Sequence, residues 1–128
     1  MNLSVDTNGY TAFCKNDSIA VDAMQKADRI LLPLMVVAEL RAGFSVGRKG
    51  AENEAILQQF LNSPRVSIES PDESTTFVYA RLFGYLRRKG APIPINDLWI
   101  ASLTLQHEAT LLTFDRHFEA LPQIPRWG

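Results

Sequence analysis

Four acidic residues stand where this 128-residue chain could use them for chemistry: Asp6 in "SVDTN", Glu39 in "VVAEL", Asp97 in "PINDLW" and Asp115 in "LTFDRH". Each also has an ordinary structural role available. Asp6 can open the "DTNG" turn, Asp97 can cap a helix whose first N–H groups lack partners, and Asp115 can cap a short final helix. Phe118 follows Asp115 by three, where a capping box needs Glu or Gln, so that last cap lacks the reciprocal bond. Glu39 is different. Its neighbours three and four positions away are Met35, Val36, Ala42 and Gly43, so a helix offers it no charged partner and an apolar or small face. A carboxylate there either turns to solvent or needs a partner from elsewhere in the fold.

The four acids acquire a sharper meaning if the fold gathers them. Carboxylates ~6 Å apart repel by roughly 3 kcal/mol per pair at an effective dielectric near 20. Helix N-termini offset only about 0.3 to 1 kcal/mol each. Such a cluster holds protons at neutral pH or recruits a multivalent cation. Cys14 is the single cysteine, so no disulfide forms within the chain and no cysteine metal site can be built. An all-oxygen donor set favours Mg²⁺, with Mn²⁺ as the alternative, over zinc.

Positioning these acids requires elements, and the hydrophobic pattern supplies them in alternation. "NLSVD" reads as a strand ending at Asp6, followed by helix to about Ala27. "RILL" at 29–32 is a second strand, with Pro33 suited to the first position of the helix "LMVVAELRAGF" that carries Glu39. A helix over 52–62 and a strand over 65–69 come next. "PDES" opens a helix in which Val78, Leu82, Tyr85 and Leu86 share a face, and "RRKG" closes it with cations and a capping Gly90. Asn96 is expected to cap the helix "NDLWIASLTLQH", leaving Asp97 free. The strand "TLLTF" at 110–114 and a short helix near "DRHFEAL" complete the series, and the Ile and Trp of "PQIPRWG" can pair with a sheet edge or cover the core. Strands alternating with helices predict an α/β fold with a mainly parallel sheet, whose sites lie beyond the carboxyl ends of the strands. Asp6, Asp97 and Asp115 all belong there.

Composition narrows the class. With 46% hydrophobic residues the chain can bury one core and is too short for two ordinary domains. The longest apolar run, "ILLPLMVVA", falls short of a membrane span, and the N-terminus has no basic segment before an apolar stretch, so a cytoplasmic protein is expected. A net charge of −1 neither announces nor excludes a nucleic-acid partner.

Taken in order, "LSVDTN", "VVAEL", "PINDLWIAS" and "LLTFDRHF" resemble the acidic motifs of PIN-domain ribonucleases, specifically the VapC-type toxins of type II toxin-antitoxin pairs. The resemblance spans nearly the whole chain. It implies one PIN domain over residues 1–128, a three-layer α/β/α fold with four or five strands, and Asp6, Glu39, Asp97 and Asp115 as a catalytic, metal-binding quartet. Thr113 matches the hydroxyl residue before the fourth acid, and Thr7 and Asn8 are supporting positions beside the first. Phe114 departs from the small or polar residue expected between Thr113 and Asp115. The resemblance further implies Mg²⁺-dependent endoribonuclease activity on RNA, transfer RNA included, leaving 5′-phosphate and 3′-hydroxyl ends. A cognate antitoxin would inhibit it through a segment in an apolar groove, and the toxin would be a homodimer. Tyr10, Phe13, Ile19, Val21 and Met24 could line that groove, form the homodimer surface, or be plain core. Arg41, Arg81, Arg87 and Arg116 are the candidates for RNA phosphate contacts. Neither histidine is required, and His117 reads as a surface residue near the rim.

Two rivals belong to other classes. A receiver-like phosphoacceptor domain would want adjacent acids after the first strand and a lysine after the last, where this chain has Asp6 alone and "TFDRHF". A PIN-like module that binds RNA or protein without cleaving it would share the fold.

Overall fold

A computed structural model describes residues Met1–Trp127. The order is β1 (Asn2–Val5), α1 (Thr7–Cys14), α2 (Ser18–Lys26), β2 (Arg29–Pro33), α3 (Leu34–Val46), α4 (Gly50–Leu61), β3 (Val66–Glu69), α5 (Glu73–Lys89), α6 (Ile95–Gln106), β4 (Thr110–Leu112), a 3₁₀ turn (Arg116–Ala120) and β5 (Arg126–Trp127). The five strands form one sheet in the order β3-β2-β1-β4-β5, and every pairing is parallel. The tail therefore pairs with an edge, through Leu111 with Arg126 and Leu112 with Trp127. Helices flank the sheet, as parallel neighbours require crossovers.

Continuous apolar runs explain the central strands. Leu3, Val5, Leu32, Leu111 and Leu112 are wholly buried, the pattern of strands covered on both faces. Phe118 and Leu121, from the final turn, and Ile100 of α6 join the same core. Helix α5 buries Val78, Leu82 and Leu86, one residue per turn, each stabilising by about 1.5 to 3 kcal/mol. Asp72 caps its start, and Gly90 ends it at φ 66°, a left-handed conformation that glycine adopts without strain.

Two expected helix starts move. Pro33 closes β2, facing Glu69 across the ladder, and its ψ of 140° is extended, so α3 begins at Leu34. Likewise Pro94 holds ψ 144° and α6 begins at Ile95 with no side-chain cap. Asn96 thus lies inside the first turn, where its side chain cannot take the capping position outside the helix, and the expected division of labour with Asp97 does not form. Strand β4 is also shorter than expected, ending at Leu112. Of the early-helix groove residues, Tyr10 and Met24 are core, and Tyr10 and Phe13 pack on Phe60 with ring centroids 5.2 and 5.9 Å away. Ile19 alone among the five is exposed.

The strand order places the switch point between β1 and β4: the chain steps outward through β2 and β3, then returns to the other side of β1. A crevice beyond the strand ends opens at such a point. Asp6 follows β1 and Thr113 to Asp115 follow β4, so topology brings together residues more than a hundred positions apart.

Candidate active site

Asp6 is the first residue past β1 and the N-cap of α1. Its amide donates to the Leu112 carbonyl at 3.3 Å, continuing the β1–β4 ladder, while its Oδ1 accepts from the Gly9 amide at 2.8 Å. A Cβ on Gly9 would lie 2.4 Å from the Leu112 carbonyl oxygen, so only glycine lets α1 start this close to β4. The other carboxylate oxygen, Oδ2, accepts from the Thr113 hydroxyl. That hydroxyl in turn accepts from the Asp115 amide at 3.0 Å. Asp6 is 4% exposed. Burial pushes its pKa up to about 6, the Thr113 hydroxyl and Gly9 amide pull it back, and the charges of Asp115 and Asp97 push it up again.

Asp97 arrives from another direction. It sits in the first turn of α6, an end favourable to negative charge, and α6 is tied to β1 by a 2.9 Å hydrogen bond between the Thr104 and Ser4 hydroxyls. Burial raises its pKa, opposed by the hydrogen bond to His117, and Asp115 adds to the rise. Asp115 caps the 3₁₀ turn by accepting from the His117 amide at 2.9 Å. His117 Nδ1 then lies 2.7 Å from Asp97 Oδ2 and 3.1 Å from Asp115 Oδ1. The Asp97 hydrogen bond is the main reason that the His117 pKa is raised, which favours the imidazolium between two carboxylates.

The structure thus unites Asp6, Asp97 and Asp115 and adds a residue that sequence reasoning passed over. His117 is half exposed, as a surface residue would be, yet its ring bridges two of the acids. The only signal in the sequence was its spacing, two residues after an acid that could cap a turn. Glu39 lies exposed on α3, so its face is turned to solvent rather than sealed among apolar groups. Asn8 accepts from the Phe114 amide at 2.9 Å, and the Thr7 hydroxyl is buried with no hydrogen-bond partner among the described residues.

The basic candidates are dispersed. Arg41 is held by Glu54 through paired contacts of 3.1 Å, Arg116 lies 3.6 Å from Glu119, and Arg87 stacks 5.9 Å over the Phe83 ring. Arg81 is exposed on α5.

The donor set fits a hard divalent cation. One atom each from Asp97, Asp115 and His117 lie within 4.8 Å of one another, and the adjoining Asp6 is a buried carboxylate whose charge is opposed by Asp115 and Asp97. The carboxylate oxygens suit Mg²⁺ or Mn²⁺, the imidazole can join them as a donor only after losing its proton, and no thiolate stands among them.

Comparison with known proteins agrees with this architecture. The PIN domain family profile matches residues 5–124. Ribonuclease VapC2 of Rickettsia felis is 33% identical over 105 residues, covering 81% of this chain and 77% of that protein. Ribonuclease VapC1 of Haemophilus influenzae strain R2866 is 34% identical over 125 residues, covering 94% and 92%. Among solved structures, VapBC2 from Rickettsia felis bound to a promoter DNA fragment superposes with a TM-score of 0.85 at 30% identity, covering 100% of both chains. VapBC-1 from nontypeable Haemophilus influenzae gives 0.85 at 25% identity, covering 98% and 96%. This chain belongs to the PIN-domain family and, within it, to the VapC type.

Proposed function

We propose that this chain, as one PIN domain, is the ribonuclease toxin of a toxin-antitoxin pair and cleaves RNA phosphodiester bonds at the acidic centre, leaving 5′-phosphate and 3′-hydroxyl ends. The observation that carries the reading is the convergence of Asp6, Asp97 and Asp115 at the sheet's switch point. Asp6, Asp97 and Asp115 would hold Mg²⁺ or Mn²⁺, with Glu39 as the outer acid on α3, a helix that packs on α1 and α6. A divalent ion bound there supplies positive charge that acidifies water and stabilises the phosphoryl oxygens.

The protein's own groups set the geometry. Thr113 and Gly9 fix both oxygens of Asp6, so the carboxylate enters the reaction without rotamer search. His117 orients Asp97 and Asp115 toward each other and limits their repulsion. Arg81 and Arg87, exposed on α5, and Arg116, next to Asp115, would meet RNA phosphates; Arg41 is the weakest of the four because Glu54 already neutralises it.

Transfer RNA and other structured RNAs are the proposed substrates, and the cytoplasm the proposed site of action. No helix among the described residues is long and apolar enough to cross a membrane. The proposed partners are a cognate antitoxin and a second copy of this chain. A 320 Å³ groove between α1, α3 and α4, lined by Tyr10, Cys14, Leu40, Phe44 and Ile56, is the proposed apolar surface for the antitoxin.

The deciding experiment maps RNA ends after incubation with purified protein in Mg²⁺ or Mn²⁺. Discrete cuts are expected, abolished by Asp97→Asn and reversibly by EDTA. Cuts that persist in chelator would overturn the metal-dependent mechanism, and an intact RNA pool would favour the non-cleaving PIN-like module.

A further inference from the structure

Phe114 lies between two residues of the acidic centre, yet the centre makes no use of its ring. Thr113 engages Asp6 and Asp115 engages His117, whereas Phe114 is 42% exposed and forms one wall of an adjoining groove of 620 Å³. The opposite wall is the exposed side of α1, with Asn8, Thr11 and Lys15. A lone exposed aromatic is ordinary. This one is held: its amide donates to Asn8 Oδ1 at 2.9 Å, a bond that crosses between the two walls and fixes the loop that carries the ring.

Charge along the groove is asymmetric. Asp17, which also lines the groove, is committed to the start of α2, accepting from the Ile19 and Ala20 amides at 3.0 Å each. Lys15 forms no ion pair among the described residues. The groove therefore offers, on the loop that also carries Thr113 and Asp115, one flat apolar face and one available cation. Those are the two elements with which proteins hold single-stranded nucleic acid, a base stacked on a ring and a phosphate on an ammonium.

We propose that Phe114 is a stacking platform for the base next to the scissile phosphate, with Lys15 taking a phosphate further along the strand. The proposal rests on the ribonuclease reading above and deepens it. A base stacked on Phe114 has left its own helix, so the substrate is an unpaired segment or loop of RNA, and paired RNA is refused at this subsite.

The test uses a short single-stranded RNA carrying a mapped cut site, with an abasic nucleotide placed on either side of the cut in turn. One abasic position should raise the wild-type KM about tenfold, the lower part of the range for loss of one stacked base. Phe114→Ala should raise KM comparably on the intact RNA, respond no further to the abasic nucleotide, and recover with Phe114→Trp. Equal cleavage of abasic and intact RNA by the wild type would overturn the proposal while leaving the ribonuclease reading in place. Absence of any metal-dependent cut would overturn both. Because the abasic arm uses the unaltered protein, a folding defect in Phe114→Ala cannot obscure the result.

Discussion

Asp6 and Asp72 perform the same local task with opposite electrostatic outcomes. Both are N-caps in extended backbone, and both accept from the amide three residues on, Gly9 in one case and Thr75 in the other. Asp72 is exposed, and the Gln106 side chain, together with the Thr75 amide and hydroxyl, lowers its pKa. Asp6 is buried at the end of β1 beside two further carboxylates, and its pKa is pushed up to about 6. The cap motif is therefore neutral about function. What separates a helix start from a candidate catalytic group is the set of through-space neighbours, one surplus of donors and one surplus of acids.

That contrast can be broken experimentally, and the largest effect should come from removing charge at the buried cap. Asp6→Asn keeps an oxygen for the Gly9 amide and should lower RNA cleavage by on the order of a hundredfold or more, beyond the 10–100-fold typical of groups that only support a metal ligand. The same variant should be more stable than the wild type in EDTA at pH 7. Because the folded pKa lies above the unfolded value, Asp6 binds its proton more tightly in the native state. Its contribution therefore lowers stability as pH rises from 3.8 to about 6, by at most about 3 kcal/mol, and then levels off. Urea unfolding of both proteins across that interval should show the gap widening with pH; parallel curves would mean that Asp6 is not held against its charge.

His117→Ala comes next. With the imidazolium gone from between Asp97 and Asp115, Mn²⁺ no longer competes with a resident cation for those oxygens, and its apparent affinity by calorimetric titration at pH 6 should tighten. Unchanged affinity would reduce His117 to a surface neighbour. Asp72→Ala should lower the unfolding midpoint modestly and leave cleavage untouched. Its stabilising effect should be present above the unfolded carboxylate pKa and disappear as pH falls through the lowered folded value. The smallest effect belongs to Asn96→Ala, within about 0.5 kcal/mol, since its side chain is exposed and caps nothing. A loss above 1 kcal/mol by thermal unfolding would restore a capping role.

Much of this could be read along the chain because the relevant forces act over a few residues. Apolar runs identified the inner strands, the Val78, Leu82 and Leu86 spacing identified α5, and Gly90 marked its end. Pro33 misled for a local reason: its φ matches a helix, and only ψ, 140°, assigns it to the extended segment before α3. Pro94, with ψ 144°, does the same before α6 and moves that helix start ahead of Asn96. Arg41 looked available because its partner Glu54 lies on a different helix, thirteen residues away.

By itself, then, the sequence determined the acids, the α/β alternation, the missing cysteine chemistry and the resemblance that tied them together. Only the tertiary structure decided that β4 returns beside β1, that Thr113 reaches Asp6 across 107 residues, that His117 lies between two acids, and that Phe114 faces a groove with an available lysine. The reason is range. Capping and periodicity are set by bonds within a turn or two, whereas burial and charge pairing depend on distances that exist only after the strands have chosen their order.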